Sequence, residues 1–98
     1  MEITKKTEGS ALTVAVSGRL DTTTAPQLDA ELKESLPGMT DVTIDLADLE
    51  YISSAGLRVL LATQKAMNKQ GTLKVCNVNE IVMEIFEVTG FSEILTIC

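Results

Sequence analysis

Two adjacent serines, Ser53 and Ser54, hold the position in this sequence that is best suited to chemistry. They follow the strand pattern of residues 42–46 and directly precede a helical pattern, which puts them at the amino end of a helix. Open α/β sheets place their sites where a parallel strand runs into the next helix. A helix amino terminus also favours negative charge, so a phosphate on either hydroxyl would be well accommodated. The plain alternative is a serine that only caps the helix, and position alone favours that alternative.

Few other side chains are available for catalysis or metal binding. The chain has no histidine and two cysteines, Cys76 and Cys98, which removes most nucleophile–base pairs and most transition-metal sites. A disulfide between the two cysteines is open, because nothing in their spacing favours it. Asp45, Asp48 and Glu50 carry oxygen ligands suited to Mg²⁺, but a solvated acidic loop is the favoured interpretation. We therefore expect neither an enzyme nor a bound metal or cofactor.

The overall charge narrows the choice of partner. The 98 residues carry a formal net charge of −6, and the eight basic residues are scattered along the chain. Nucleic-acid binding depends on clustered Lys and Arg, so neither nucleic acid nor an anionic membrane is an expected partner. The first residues lack the basic and apolar regions of a secretory signal, and no apolar run reaches the ~18 residues of a membrane span. These features predict one cytoplasmic domain over residues 1–98.

Hydrophobic periodicity predicts the elements that position the serines. Alternating apolar and polar residues are typical of strands, whereas apolar residues three and four apart are typical of helices. The patterns predict strands over residues 2–7, 11–17, 42–46 and 72–77, with a fifth strand allowed at 94–97. They predict helices over residues 25–36 and 54–69 and from the cap at 79 to Gly90.

Each predicted strand is apolar on one face and small or polar on the other. Strands that alternate with helices pair in parallel through right-handed crossovers. A sheet covered on both faces needs strands that are apolar on both. We therefore expect all the helices on one face, above inward residues that comprise Leu12, Val14, Val16, Val42, Ile44, Leu46, Leu73 and Val75.

The helix that follows the serines has two apolar stripes. Leu57, Leu60, Leu61 and Met67 form the expected core stripe, and Gly56 allows something to approach the first turn closely. A second stripe of small apolar residues, Ala55, Val59, Ala62 and Ala66, faces away from the first at about 100° per residue. It either packs on a neighbouring helix or forms a flat docking surface beside Ser54, and the sequence does not choose between the two.

The same segment resembles the signature of the STAS domain family, specifically of bacterial anti-sigma factor antagonists. The family's Asp-Ser-Ser/Thr-Gly-Leu motif aligns with Ser53-Ser54-Ala55-Gly56-Leu57. Gly18-Arg19-Leu20-Asp21, Gly71 and Ile85-Phe86 with Gly90-Phe91 resemble further family features. The resemblance spans essentially the whole chain. It implies a STAS fold, an α/β mixed sheet of four to five strands with helices packed on one face.

The resemblance also implies partner switching in transcription regulation. A serine kinase that is also an anti-sigma factor would phosphorylate Ser54 and release the antagonist, and a PP2C-type phosphatase would reverse the step. Asp21 matches the family's acidic position, and Asp21, Ser53, Ala55, Gly56 and Val59 are the expected partner contacts. Ser53 stands where the family has Asp, and Ala55 where it has Ser or Thr. The alternative is a non-phosphorylated STAS subunit that supports a larger assembly, such as a lipid-transport complex.

Overall fold

The structure is a computed structural model that describes residues 1–98. It contains five strands and four helices in the order β1 (Glu2–Glu8), β2 (Ala11–Leu20), α1 (Ala25–Ser35), β3 (Asp41–Asp45), β4 (Leu49–Ile52), α2 (Ser54–Asn68), β5 (Thr72–Cys76), α3 (Glu80–Thr89) and α4 (Phe91–Ile94). The expected helices and four of the strands lie within a few residues of their predicted bounds.

The strands form one mixed sheet around the long strand β2. β1 pairs antiparallel with β2 through the turn at Gly9, as the hairpin pattern predicts. β3 runs parallel to the first half of β2, and β4 runs parallel to its last residues, Gly18–Leu20. β5 lies parallel to β3 on the outer side. Thus β3 and β4 lie along the same flank of β2, and the second helix begins where β4 ends.

One face of this sheet is covered and the other is open. The eight inward strand residues predicted from the alternating pattern are all buried, at 2% exposure or less. Residues of the opposite face, such as Thr13 and Lys74, are exposed. The buried apolar side chains join a single cluster that includes Leu28, Leu60 and Phe86 from the three longer helices. The prediction of helices packed on one face is therefore confirmed.

The fifth strand is not the one that the sequence predicted. The sequence allowed a fifth strand at residues 94–97, but α4 occupies Phe91–Ile94, and only Ile97 makes an isolated bridge to Val75. Gly90 adopts the left-handed conformation (φ 81°) and lets the chain re-enter a helical turn. The actual fifth strand is β4. Of its four residues only the first and the last are buried, so its sequence lacks the period-two pattern that predicts a strand.

The end of the chain lies against β5. The backbone amide of Val75 donates to the Thr96 carbonyl (2.8 Å), and that of Cys98 donates to the Val75 carbonyl (3.0 Å). A disulfide joins Cys76 and Cys98, whose Cα atoms are 4.8 Å apart. The sequence had left this pairing open. No helix of the structure has both the length and the apolar character that crossing a bilayer requires.

Candidate functional site

The turn between β2 and α1 is organised by Asp21. Its Oδ1 atom accepts hydrogen bonds from the backbone amides of Thr23 (2.9 Å) and Thr24 (3.2 Å). The Thr24 hydroxyl accepts from the Asp21 amide (2.9 Å) and donates to the Arg19 carbonyl (2.8 Å). Thr24 occupies the N-cap of α1 without a side-chain cap bond of its own. Asp21 is therefore a structural residue of this turn as well as an acidic group at the site.

Hydrogen bonds to the charged form lower the pKa of the Asp21 carboxyl. The backbone amide of Thr24 contributes most, followed by that of Thr23, while the nearby Arg19 guanidinium acts in the same direction. The side chain is half-buried and stays ionised at neutral pH. A negative charge is thus fixed beside the start of α2.

The two serines have different environments at the start of α2. The Ser53 amide donates to the Leu20 carbonyl (2.9 Å), which joins the β4–α2 junction to the residue before Asp21. Ser53 is the N-cap, but its hydroxyl makes no cap bond and is buried without a hydrogen-bond partner. Ser54 is the first helical residue and is exposed. Of the two hydroxyls, only that of Ser54 is open to solvent.

Gly56 faces the core of the domain. It is buried, and a Cβ atom at this position would lie 2.7 Å from Leu20 Cγ and 2.8 Å from Ile52 Cγ1. The close approach predicted for the first turn therefore exists, but it is made by the domain's own side chains. Gly56 thus has a packing role inside the domain, and its expected contact with a partner stays a prediction.

Val59 is also an internal residue. It is 8% exposed and belongs to the core cluster, on the side of α2 that meets α1. Ala55 and Ala66 of the same stripe are half-buried, and Ala62 is exposed. The helix-packing alternative therefore holds for Val59. Its expected role as a partner contact stays a prediction, because the small exposed part of its side chain lines an open groove between α1 and α2.

An open groove remains where α1 and α2 begin. It has a volume of about 430 Å³, and its walls include Thr22, Pro26, Ala55 and Arg58. Arg58 lies one turn after Ser54, is exposed and takes part in none of the ion pairs of the structure. Neither this groove nor Arg58 was predicted from the sequence. The i,i+4 spacing from Ser54 was the available signal.

The acidic residues near β4 belong to a different place. Asp48 and Glu50 line a second groove, which has a volume of about 860 Å³ and is also lined by Arg19 and Glu80. The Asp45 carboxylate is engaged by the Ala47 amide and the Asn77 side chain. These carboxylates do not converge with ligand spacing, and no group of three or more metal-binding side chains forms.

The arrangement at the start of α2 can therefore bind and be modified. It combines an exposed hydroxyl, a fixed carboxylate and an open groove with one cation. The Asp21 carboxylate at the adjoining turn is already bound to two backbone amides.

Known proteins resemble this chain over nearly its full length. Residues 3–96 match the family model described as Mlab, STAS domain. BtrV of Bordetella bronchiseptica is 37% identical over 99% of this chain and 85% of its own length. The anti-sigma-B factor antagonist of Bacillus subtilis is 35% identical over 86% of this chain and 78% of its own. The structure of the Bacillus cell fate determinant SpoIIAA in the phosphorylated form shares the fold, with a TM-score of 0.77 at 14% identity over 99% and 91% of the two chains.

Proposed function

The chain belongs to the STAS domain family, and from that premise we propose that it is an anti-sigma factor antagonist controlled by phosphorylation of Ser54. Its partner in this proposal is a serine-kinase anti-sigma factor, which it binds when Ser54 is unmodified. One observation carries the choice of residue: the Ser54 hydroxyl is exposed, whereas that of Ser53 is buried. A kinase can reach the first and not the second without opening the domain.

The docking surface in this proposal is the groove at the start of α1 and α2. Thr22, Pro26 and Ala55 provide small, mostly apolar contacts, and Arg58 provides a cation. Ser54 lies at the start of α2, next to the groove residue Ala55, with Asp21 on the turn before α1. Gly56 supports this surface from inside the core, and Val59 lines the groove with the small part of its side chain that is exposed.

A phosphate on Ser54 would block docking without unfolding the domain. It adds about −1.5 to −2 charges at neutral pH. The first backbone amides of α2 lack a side-chain cap, so the added charge is locally favourable. A partner seated on the groove would have to desolvate that charge next to the ionised Asp21, and this desolvation is costly.

A reversible switch also needs an enzyme that removes the phosphate from Ser54. A PP2C-type phosphatase would restore the unmodified form, and the protein would act in the cytoplasm as a binding protein and not as an enzyme. Neither nucleic acid nor a membrane takes part in the cycle. The net charge of −6 supports this part of the proposal.

The test combines phosphorylation and binding. The protein is incubated with a candidate serine-kinase anti-sigma factor and ATP, and modified peptides are mapped by mass spectrometry. Label is expected on Ser54, retained in Ser53→Ala and absent in Ser54→Ala. In calorimetric titration, Ser54→Asp should bind the kinase about tenfold more weakly or worse, because charge repulsion at an interface costs several kcal/mol.

The uncharged variant Ser54→Asn, similar in size to Asp, is the control and should bind within a few-fold of wild type. Label on Ser53 alone would show that the phosphoacceptor is misassigned. Equal binding of Ser54→Asp and Ser54→Asn would rule out the charge mechanism.

A second candidate is a STAS subunit that holds a larger assembly together and is not phosphorylated. Two residues favour it, since Ser53 and Ala55 stand where the resembling family has Asp and Ser or Thr. In that case Ser54→Asp would leave the assembly intact in cells, and no phosphopeptide would be recovered.

A further inference from the structure

The outer face of α3 carries large apolar side chains that nothing in the domain covers. Ile81 is 61% exposed and Val88 is 81% exposed, although both are aliphatic. With the half-buried Ile85 they are spaced i, i+4 and i+7, so the three form one stripe along the helix, here called the α3 stripe. Soluble monomers rarely leave such side chains contiguous and exposed without a binding role.

This exposure is concentrated at one end of the chain. The molecule has four exposed large apolar side chains, and three of them, Ile81, Val88 and Ile94, lie on α3 and α4. The opposite side of α3 packs into the core through Val82 and Phe86, both fully buried. The helix therefore has two apolar faces, of which folding uses one.

The charge around the α3 stripe has a single sign. Every charged side chain after Lys74 is a glutamate, and Glu80, Glu84 and Glu87 flank the stripe on the helix itself. At the Ile81 end, the second groove adds Asp48 and Glu50 to its wall. The only cation of that wall is Arg19, whose guanidinium stacks over the Tyr51 ring at 4.6 Å.

We propose that the α3 stripe is a second docking surface, which binds an amphipathic helix of a partner protein that carries Lys or Arg beside its apolar residues. Apolar side chains of the partner cover Ile81, Ile85 and Val88, and its cations pair with the flanking glutamates. A second copy of this chain is disfavoured, because two α3 faces would bring their rows of glutamates together. None of these residues lines the groove at the start of α1 and α2, so the α3 stripe is independent of the proposed phosphorylation of Ser54.

The probe for this surface is a pair of synthetic peptides of roughly 15 residues, long enough for four helical turns. Both carry leucines on one stripe, and the flanking positions are lysine in one peptide and glutamate in the other. Binding to the ¹⁵N-labelled protein is followed by fluorescence anisotropy and by amide chemical shifts. The lysine peptide is expected to bind and to shift amides within residues 80–88, whereas the glutamate peptide is expected not to bind.

Variants of the protein distinguish binding of the lysine peptide at the α3 stripe from its general attraction to an acidic protein. Ile81→Ser with Val88→Ser should weaken the lysine peptide about tenfold, because two exposed apolar side chains lose their cover. Glu84→Gln with Glu87→Gln should also weaken it. The exposed Glu34→Gln on α1 is the matched charge control and should leave binding unchanged.

Three results would overturn the proposal. The first is equal weakening by Glu34→Gln, and the second is chemical shifts centred outside α3. The third is self-association in sedimentation experiments that the Val88→Ser variant abolishes, which would show that the stripe serves a second copy of the chain. Circular dichroism and a urea melt of each variant establish that the fold is retained before binding is compared.

Discussion

Ser53 and Ser54 are neighbours in sequence, yet the start of α2 gives their hydroxyls opposite environments. The extended backbone of Ser53 (ψ 176°) turns its side chain into the junction with β2, where the hydroxyl finds no partner. Ser54 begins the helix and projects outward. A buried hydroxyl without a partner costs stability, so this junction is held by other contacts. Two of them are the packing of Gly56 and the hydrogen bonds of Asp21.

The first prediction concerns Gly56→Ala. The added methyl would overlap Leu20 and Ile52, which are themselves fully packed at 0% and 1% exposure. Overpacking costs about 1–3 kcal/mol, against a helix-propensity gain of roughly 1 kcal/mol for replacing glycine. We expect a net loss of about 1 kcal/mol or more in the free energy of unfolding, measured by urea denaturation. Ser54→Ala, in the same turn but exposed, should change it by less than about 0.5 kcal/mol. A Gly56→Ala variant more stable than wild type would show that the core can shift here.

The second prediction concerns the pH dependence that Asp21 contributes. Its pKa is lower in the folded than in the unfolded chain, mainly through the Thr24 and Thr23 amides. Its contribution to stability is therefore present above the unfolded value of about 3.9 and is lost as the pH falls through the folded pKa. We expect Asp21→Asn to be less stable than wild type at pH 7, and the difference between them to shrink below about pH 4. Urea melts at both pH values measure this, with the exposed Asp48→Asn as control. A difference that is constant with pH would mean that the carboxylate charge is not involved.

At the level of elements, the strands with one buried face could be predicted from their side-chain alternation. Residues 11–17, 42–46 and 72–77 alternate because every second side chain meets the helix layer. β4 could not be predicted this way. Only Leu49 and Ile52 of its four residues are buried. Its register with β2 shifts between Gly18 and Arg19, where Glu50 of β4 has no paired residue. Such pairing is set by tertiary contacts and leaves no local pattern.

The packing of α2 also depends on tertiary contacts that leave no local pattern in the sequence. A stripe of small residues fits both a tight helix contact and a flat binding surface, and the sequence holds no information on where α1 passes. The exposure of Ser54 at the first turn of α2 agrees with its position in the family motif, whereas its role as a site residue stays a prediction. The groove with Arg58 required the relative placement of two helices.

The third prediction uses two positions of that stripe as a matched pair. Val59 is buried against α1, whereas Ala62, one turn later, is exposed. Val59→Lys would bury an unpaired ammonium group and should destabilise the domain by about 3 kcal/mol or more. Ala62→Lys should change stability by less than about 0.5 kcal/mol. Thermal melts followed by circular dichroism compare the two. If Val59→Lys melts like Ala62→Lys, α1 and α2 are not packed together at Val59 in solution.

At the level of the whole molecule, the sheet divides the surface into regions with different properties. The helix layer carries the groove at the start of α1 and α2 and also the α3 stripe. The opposite face of the sheet carries small and polar side chains such as Thr13 and Lys74. The termini lie on opposite edges, with β1 beside β2 and the final residues beside β5. The edge at β5 is closed only by Ile97, by backbone bonds of Val75 and by the disulfide.

The last prediction concerns the disulfide that closes this edge. Cys76 and Cys98 are 22 residues apart, and a cross-link over a loop of that length stabilises a domain by about 3 kcal/mol through the unfolded chain. Under oxidising conditions, Cys98→Ser should lower the free energy of unfolding by about that amount. In excess dithiothreitol, wild type and Cys98→Ser should unfold at the same urea concentration, because the backbone bonds of Val75 remain in both.

The redox state of the two cysteines in cells also tests the proposed cytoplasmic location. Cytoplasmic thiols are kept reduced, so the proposed location predicts free thiols at both cysteines in protein alkylated directly from acid-quenched cells. The stability gained from the bridge would then arise only under oxidative stress. Recovery of the fully bridged form from unstressed cells would contradict a cytoplasmic location. A wild-type protein that is equally stable with and without reductant would show that the bridge does not form in solution.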